Sequence, residues 1–161
     1  MSLLRNFILI GITLIPIILF GQNEQKEVKN FKISIRQQIL PDTNPDYIYK
    51  ISDKKIKIYK SKNILRYKLF SQRFDKIQID SLRLLVKNAY VFNLGSNYDS
   101  GLLDGINWTF EIKINNQHKE VRLDNYYLKQ LGDIVDFINR QIPQKRVCIS
   151  FDFFNTRNDF N

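Results

Sequence analysis

Cysteine and histidine are almost missing from this chain of 161 residues, which contains one of each. A single cysteine, Cys148, excludes a disulfide scaffold within the chain and any zinc or iron–sulfur site built from several cysteines. A single histidine, His118, excludes a site with several histidine ligands and makes a catalytic triad a poor candidate. We therefore predict neither a metal site nor a cofactor.

Glycine and alanine are also scarce, with six glycines and one alanine, Ala89. No glycine-rich loop follows a strand-like segment and opens a helix, so a dinucleotide or P-loop site is excluded. The scarcity of alanine beside abundant Ile, Asn and Lys is typical of an AT-rich genome, in which part of the lysine content reflects codon bias. Hydrophobic residues at 43% and aromatic residues at 13% exclude a disordered chain.

The N-terminal segment contains an uncharged apolar run, residues 7–20, which follows a short start with one positive charge at Arg5. A helix needs about 20 residues to cross a bilayer, so this shorter run suits the central region of a signal peptide. We predict a signal peptide over 1–21, cleaved after Gly21, and a periplasmic or secreted protein without a membrane span after cleavage. The alternative is an anchor formed by the uncleaved segment.

The rest of the chain is predicted to form a flexible lead-in over 22–30 and a single domain over 31–161, which is long enough to bury a core without disulfides. Four segments of this domain alternate apolar and polar residues with the period of a half-buried strand. Their apolar residues are Phe31, Ile33, Ile35 and Ile39, then Tyr47, Tyr49 and Ile51, then Ile56 and Ile58, and finally Leu65, Tyr67 and Leu69. Turn residues separate the segments, so we predict an antiparallel meander with one buried face.

Helical spacing begins after this meander. Asp80 and Ser81 are favourable N-cap residues and predict a helix over about 80–92, followed by a loop at 95–106. A hairpin with an Asn-Asn turn over 107–123 leads to a second helix over about 125–141, capped by Asp124 or Asn125.

A last strand over 146–153 follows Pro143, which ends the second helix. The predicted fold class is therefore α+β, an antiparallel sheet with two helices on one face. Two strand–strand–helix units, over 54–92 and 107–141, suggest a duplication.

The stretch 82–142 carries a spaced set of aromatic, turn and core residues. They are Phe92, Leu94, Tyr98, Asp104, Gly105 and Trp108, then Asn125, Leu131, Phe137, Ile138, Asn139 and Pro143. With these residues the chain resembles small exported α+β domains of unknown function from Bacteroidota, and the Phe-Gly-Gln end of the signal peptide is similar too. The resemblance implies an exported α+β domain and supplies no activity or catalytic residues.

The excess positive charge lies between residues 50 and 76. This segment has ten basic residues against two acidic ones, Asp53 and Asp75, in a chain whose net charge is +9. The basic residues are Lys50, Lys54, Lys55, Lys57, Lys60, Lys62, Arg66, Lys68, Arg73 and Lys76. The charge of the protein is thus concentrated in one predicted hairpin.

The alternation of this hairpin predicts which of its faces is charged. With the apolar residues of both strands facing the core, Lys57 lies opposite Arg66 or Lys68, and the outer face becomes a cationic ladder of Lys55, Lys57, Arg66 and Lys68 beside Tyr59. Like charges on directly opposite residues destabilise a sheet. The arrangement therefore favours a non-enzymatic binding module that docks an anionic partner through these five residues.

An exported protein meets anionic lipid headgroups, anionic polysaccharides and acidic protein surfaces, whereas nucleic acid lies in another compartment. The alternative interpretation of the same charge is a solvated face whose lysines protect an edge strand, enriched by codon bias. The oligomeric state is not predicted.

Two other functions are open. Asp99 and Asp104 in the long loop, with Glu111, form the alternative of a cell-wall or polysaccharide hydrolase that uses paired carboxylates. A structural envelope protein without a soluble ligand is the third hypothesis. His118 is predicted to be a surface turn residue, and Cys148 a structural one.

Overall fold

The structure, a computed structural model, describes residues 27–40, 46–62, 65–101, 105–143, 148–149 and 151. The predicted signal peptide at 1–21, its cleavage after Gly21 and the turn at 41–45 lie outside these residues.

Strands form where apolar and polar residues alternate. In chain order they are β1 (Phe31–Leu40), β2 (Asp46–Ser52), β3 (Lys55–Lys62), β4 (Leu65–Arg73), β5 (Asn97–Asp99), β6 (Gly105–Ile114) and β7 (Gln117–Asp124). The described residues form one sheet in the order β4-β3-β2-β1-β6-β7-β5, antiparallel except for the parallel pair β5–β7. The predicted meander and second hairpin are confirmed, and the fold is α+β with the sheet as its larger part. The sequence did not predict the short β5, which lies within the expected loop at 95–106.

Register separates the sheet into two faces, because directly opposite residues of neighbouring strands share a face. One of them, the apolar face, carries buried side chains: Ile33, Ile35, Tyr49, Ile51, Ile56, Ile58, Trp108, Phe110 and Ile112. The other, the polar face, carries the intervening residues, beginning with Lys32 and Ser34 of β1. Ile48 is buried on the polar face, and the other residues of that face whose side chains are described are exposed or half-buried.

The first helix, α1 (Lys76–Asn88), begins four residues earlier than predicted. Its N-cap is Asp75, whose Oδ1 accepts a hydrogen bond from the backbone N–H of Gln78 at 2.8 Å. The Gln78 side chain accepts in return from the backbone N–H of Asp75 at 2.9 Å, which completes a capping box. Asp80 and Ser81 therefore lie inside the helix, and the predicted cap was wrong because the stronger signal stands at Asp75. A 3-10 turn, Val91–Asn93, follows the helix.

The second helix, α2 (Lys129–Arg140), begins four residues later than predicted. Neither Asp124 nor Asn125 caps it, since the N-cap position is Leu128. Asn125 instead forms hydrogen bonds with β6. Its backbone N–H donates to the carbonyl oxygen of Ile106 at 3.2 Å, and its Oδ1 accepts from the backbone N–H of Ile106 at 2.8 Å. A left-handed φ of 50° lets Asn125 make both contacts.

The helices and the sheet share one hydrophobic cluster. Leu82 and Val86 of α1, with Leu131, Val135 and Ile138 of α2, belong to it together with the buried strand side chains of the apolar face. The periodic apolar residues of each helix are thus the ones that are buried in the core.

The prediction that Leu65, Tyr67 and Leu69 of β4 face the core was wrong, since they are 61%, 54% and 40% exposed. Leu65 and Tyr67 lie opposite Lys62 and Lys60, on the side of the apolar face but beyond Ile58, the last buried residue of β3. Leu69 has no partner in the register, because Ile58 pairs with Phe70 while Tyr59 pairs with Lys68. This bulge reverses the alternation of β4, and Phe70 takes the place opposite Ile58.

The predicted last strand is not formed by Cys148, Ile149 and Phe151, the described residues of that segment, and the rest of it lies outside the described ranges. Ile149 and Phe151 are nevertheless buried. Both backbone groups of Ile149 are bound at 2.8 Å by the side chain of Asn139. The ring of Phe151 packs at 5.7 Å from that of Trp108. Side-chain contacts, not a strand ladder, therefore hold Ile149 and Phe151.

Candidate basic interface

Lysines meet in pairs on the polar face. The register places Lys50 of β2 directly opposite Lys57 of β3, and Lys32 of β1 directly opposite Lys113 of β6. Directly opposite side chains have Cβ atoms about 4.5–5.5 Å apart, so each pair brings two positive charges together and destabilises the sheet. Folding alone gains nothing from this arrangement.

These pairs line a groove of about 450 Å³, the basic groove. Its charged and aromatic lining consists of Lys32, Lys50, Lys55, Lys57, Lys113, Tyr59 and Glu111. Lys50 Nζ lies 5.7 Å from the centroid of the Tyr59 ring, a cation–π distance. The groove therefore combines five ammonium groups, one carboxylate and one aromatic ring.

The groove lysines form no ion pair with a carboxylate of the described residues. Across the described residues the ion pairs are Arg83–Asp80, Arg122–Glu120 and Lys129–Asp133. None of them involves a lysine of the basic groove, Arg66 or Lys68.

The five residues that the sequence predicts as a binding site lie on the same face. Lys55, Lys57 and Tyr59 line the groove, Lys68 pairs with Tyr59, and Arg66 pairs with Ser61. The predicted register was wrong in detail. Lys57 lies opposite Ser71, not Arg66 or Lys68, because the hairpin pairs Lys62 with Leu65 at its turn and then skips Leu69.

Lys32 and Lys113 were missed because they join the groove only through the pairing of β1 with β6. Each is a polar position in an alternating strand, which is the local signal that the sequence offers. That the two strands are neighbours could not be read from either segment.

A second cavity, of about 370 Å³, lies on the polar face beside the basic groove. Its charged lining is Arg36, Glu111, Glu120, Arg122 and Asp124. Partial burial raises the pKa of the Asp124 carboxyl, and the charge of Asp99 on the neighbouring strand raises it further. Among the described residues, Asn107 Oδ1 in this lining is buried without a hydrogen-bond partner. The second cavity thus has three carboxylates beside two guanidinium groups, whereas the basic groove has five ammonium groups and one carboxylate.

Asp99, His118 and Cys148, the remaining candidate residues that the structure describes, lie on β5, on β7 and after α2. Asp99 accepts a hydrogen bond from the backbone N–H of Gly101 at 2.7 Å, which is turn chemistry, and Asp104 lies outside the described residues. His118 is exposed on β7 opposite Lys113. Cys148 Sγ lies 4.0 Å from the carbonyl oxygen of Asn139.

No family model and no curated protein matches this sequence. Within the described residues, no group of three or more His, Cys, Asp or Glu side chains is arranged to hold a metal ion. No helix of the described residues has the length and apolarity that a bilayer crossing requires.

Proposed function

We propose that the protein is an exported, non-enzymatic binding module that docks an anionic partner against the polar face of its sheet. The observation that carries this proposal is the basic groove, in which five lysines lie together without an ion pair to the described carboxylates. Export is supported by the signal-peptide pattern at 1–21 and by the resemblance to exported Bacteroidota domains.

The placement of the helices supports an open face. Buried residues of α1 and α2 join the core of the apolar face, and the polar face retains exposed or half-buried side chains. We infer that both helices lie on the apolar face. A partner can then reach the groove without displacing α1 or α2.

Energetics also favour a binding role over codon bias alone. Lysines scattered by codon drift would be distributed over the surface, whereas here they oppose each other across strand pairs. Each opposed pair costs a few tenths of a kcal/mol. An anionic ligand would offset this cost, because it replaces repulsion by attraction.

The proposal is tested by anion binding with fluorescent poly-L-glutamate as the probe. Removal of two opposed cations, in the double variant Lys50→Ser/Lys57→Ser, should weaken binding at least tenfold at low ionic strength. Binding by the native protein should fall steeply as salt is added, since exposed charges are screened over about 10 Å at 0.1 M.

The matched control is Lys76→Ser/Lys87→Ser, which removes the same charge from exposed positions of α1. Equal loss of binding in both double variants would show that net charge, not the groove, attracts the polymer. That result would overturn the proposal.

A second candidate function, hydrolysis of a cell-wall polymer, is favoured by the second cavity. Glu111 lies directly opposite Glu120, and the pKa of the Asp124 carboxyl is shifted upward, which is the direction that favours a general acid. Paired carboxyl groups of glycosidases lie about 5–9.5 Å apart, a separation that opposed strand residues can reach. Glu120 is already bound by Arg122 at 2.7 Å, however, which favours the binding role.

Hydrolysis is tested with dye-labelled cell-wall polymer. The binding proposal expects no release of dye by the native protein. Release that is abolished by both Glu111→Gln and Asp124→Asn would establish the enzymatic function instead.

A further inference from the structure

The strand β4 ends the sheet. In the described part of the chain its hydrogen-bonded neighbour is β3, on one side. An edge strand presents a row of backbone N–H and C=O groups that a further strand can bind. At nine residues, β4 is long enough to accept one.

The exposed side chains of β4 alternate in chemistry. On one side of the strand Leu65 and Tyr67 are exposed, because they lie opposite Lys62 and Lys60, beyond the last buried residue of β3. On the other side Arg66 and Lys68 are exposed on the polar face. Exposed apolar and cationic residues therefore alternate along β4.

Protection of the edge against unwanted strand pairing explains the cationic residues of β4 but not its exposed apolar residues. Natural edge strands carry lysines and bulges that discourage pairing, and β4 has both. Exposed large apolar residues do the opposite, since they favour association. Their presence at alternate positions on the edge strand is what a docking site for another strand requires.

We propose that β4 binds an extended segment of a partner protein in which acidic and apolar residues alternate, so that the segment adds an eighth strand to the sheet. Its apolar side chains pack beside Leu65 and Tyr67, and its carboxylates lie beside Arg66 and Lys68 on the polar face. This inference rests on the proposed function, because it names the anionic partner of that face.

Charge argues against a second copy of this chain as the occupant. Two β4 strands paired edge to edge would bring Arg66 and Lys68 of both copies together, and like charges across a strand pair are destabilising. An acidic segment reverses that sign and converts the same positions into favourable cross-strand pairs.

The probe is a labelled synthetic peptide of nine residues that alternates Glu with Val, compared with a peptide of equal composition in which the Glu and Val residues form two blocks. Both peptides carry the same charge, and only the first matches the alternation of β4. We expect the alternating peptide to bind at least tenfold more tightly by fluorescence anisotropy. Its binding should also slow amide hydrogen exchange within β4.

The variant Leu65→Ser/Tyr67→Ser should remove this preference while leaving poly-L-glutamate binding within twofold of the native value. Its control is Ile77→Ser/Leu84→Ser, which removes exposed apolar side chains from α1 at 78% and 58% exposure and should leave the preference intact. All four positions are exposed, so the variants are expected to fold, which circular dichroism checks.

Three results would overturn the inference. Equal affinity for both peptides would show that charge alone binds them, and the proposed function would then stand without the docking edge. Binding without slower exchange in β4 would place the peptide elsewhere. Dimers of the native protein that Leu65→Ser/Tyr67→Ser abolishes would show that a second copy occupies the edge. If Lys50→Ser/Lys57→Ser leaves poly-L-glutamate binding unchanged, it is the proposed function that fails.

Discussion

The two hairpins of the sheet, β3–β4 and β6–β7, are built from similar alternating segments and differ in what they leave exposed. In β6–β7 the apolar pairs Phe110–Val121 and Trp108–Leu123 are fully buried. In β3–β4 burial stops at Ile58, and beyond it the hairpin exposes apolar and cationic side chains alike. Core packing explains the apolar residues of β6–β7. It does not explain the exposed apolar residues in the outer half of β3–β4, which do not contribute to the core.

The largest effect should separate the two hairpins by stability. Replacing the buried Phe110 by Ala should lower the free energy of unfolding by about 3–5 kcal/mol, because it leaves a cavity in the core. Tyr67→Ala in the exposed part of β4 should change it by less than about 0.5 kcal/mol. Urea denaturation measures both, and a large loss in Tyr67→Ala would mean that the outer hairpin is packed after all.

Anion binding, in contrast to stability, should depend on the side chains of β3–β4. The quadruple variant Lys55→Ser/Lys57→Ser/Arg66→Ser/Lys68→Ser should lose at least tenfold in affinity for poly-L-glutamate, equivalent to about 1.4 kcal/mol. Its melting temperature should stay within a few degrees of the native value, since these side chains are exposed or half-buried and none forms an ion pair with a described carboxylate. A melting temperature lowered by more than ten degrees would instead assign these residues to folding.

The turn of β6–β7 provides a smaller test. Asn115 has a left-handed φ of 52°, and its Oδ1 accepts hydrogen bonds from the backbone N–H groups of Lys29 and Asn30 at 3.1 and 3.3 Å. Asn115→Ala should lower the free energy of unfolding by about 1 kcal/mol from the backbone conformation alone. Asn115→Gly relieves the conformation and still lacks the side-chain bonds, so its measured stability should lie between those of the native protein and Asn115→Ala.

The smallest effect concerns pH. The pKa of Asp124 is raised in the folded protein, so its ionisation disfavours folding above that pKa and ceases to do so as the pH falls through it. Asp124→Asn should therefore stabilise the protein by a few tenths of a kcal/mol at pH 7, a small value because the group is largely solvated, and by nothing in acid. Asp133→Asn, which breaks the exposed pair with Lys129, should not stabilise at pH 7. Thermal melts at pH 3 and pH 7 compare the two.

Local alternation was enough to predict the strands of the meander and the second hairpin, because a half-buried strand repeats every two residues. It failed at Leu69, where one bulged residue reversed the faces of β4 without any change in the pattern of the sequence. It failed also at α1, since the cap at Asp75 depends on its reciprocal bonds with Gln78. The suggested duplication stays a prediction.

The candidate site was predicted in part for the same reason. Lys55, Lys57 and Tyr59 lie within one strand, so their shared face follows from alternation alone. Lys32 and Lys113 join them only because β1 pairs with β6, and no local pattern specifies a neighbour that lies more than sixty residues away. The pairing of distant strands, which local sequence patterns do not specify, therefore determines which lysines line the groove.

The central position of β1 has a consequence for how the chain acquires its shape. β1 is hydrogen bonded on one side to β2, which follows it closely in the sequence, and on the other side to β6, which is synthesised much later. Closing so long an intervening segment is entropically costly, and topologies rich in distant contacts fold slowly. We expect β1, β2, β3 and β4 to pair early in folding. One edge of β1 then stays unpaired until β6 pairs with it in a later and slower step.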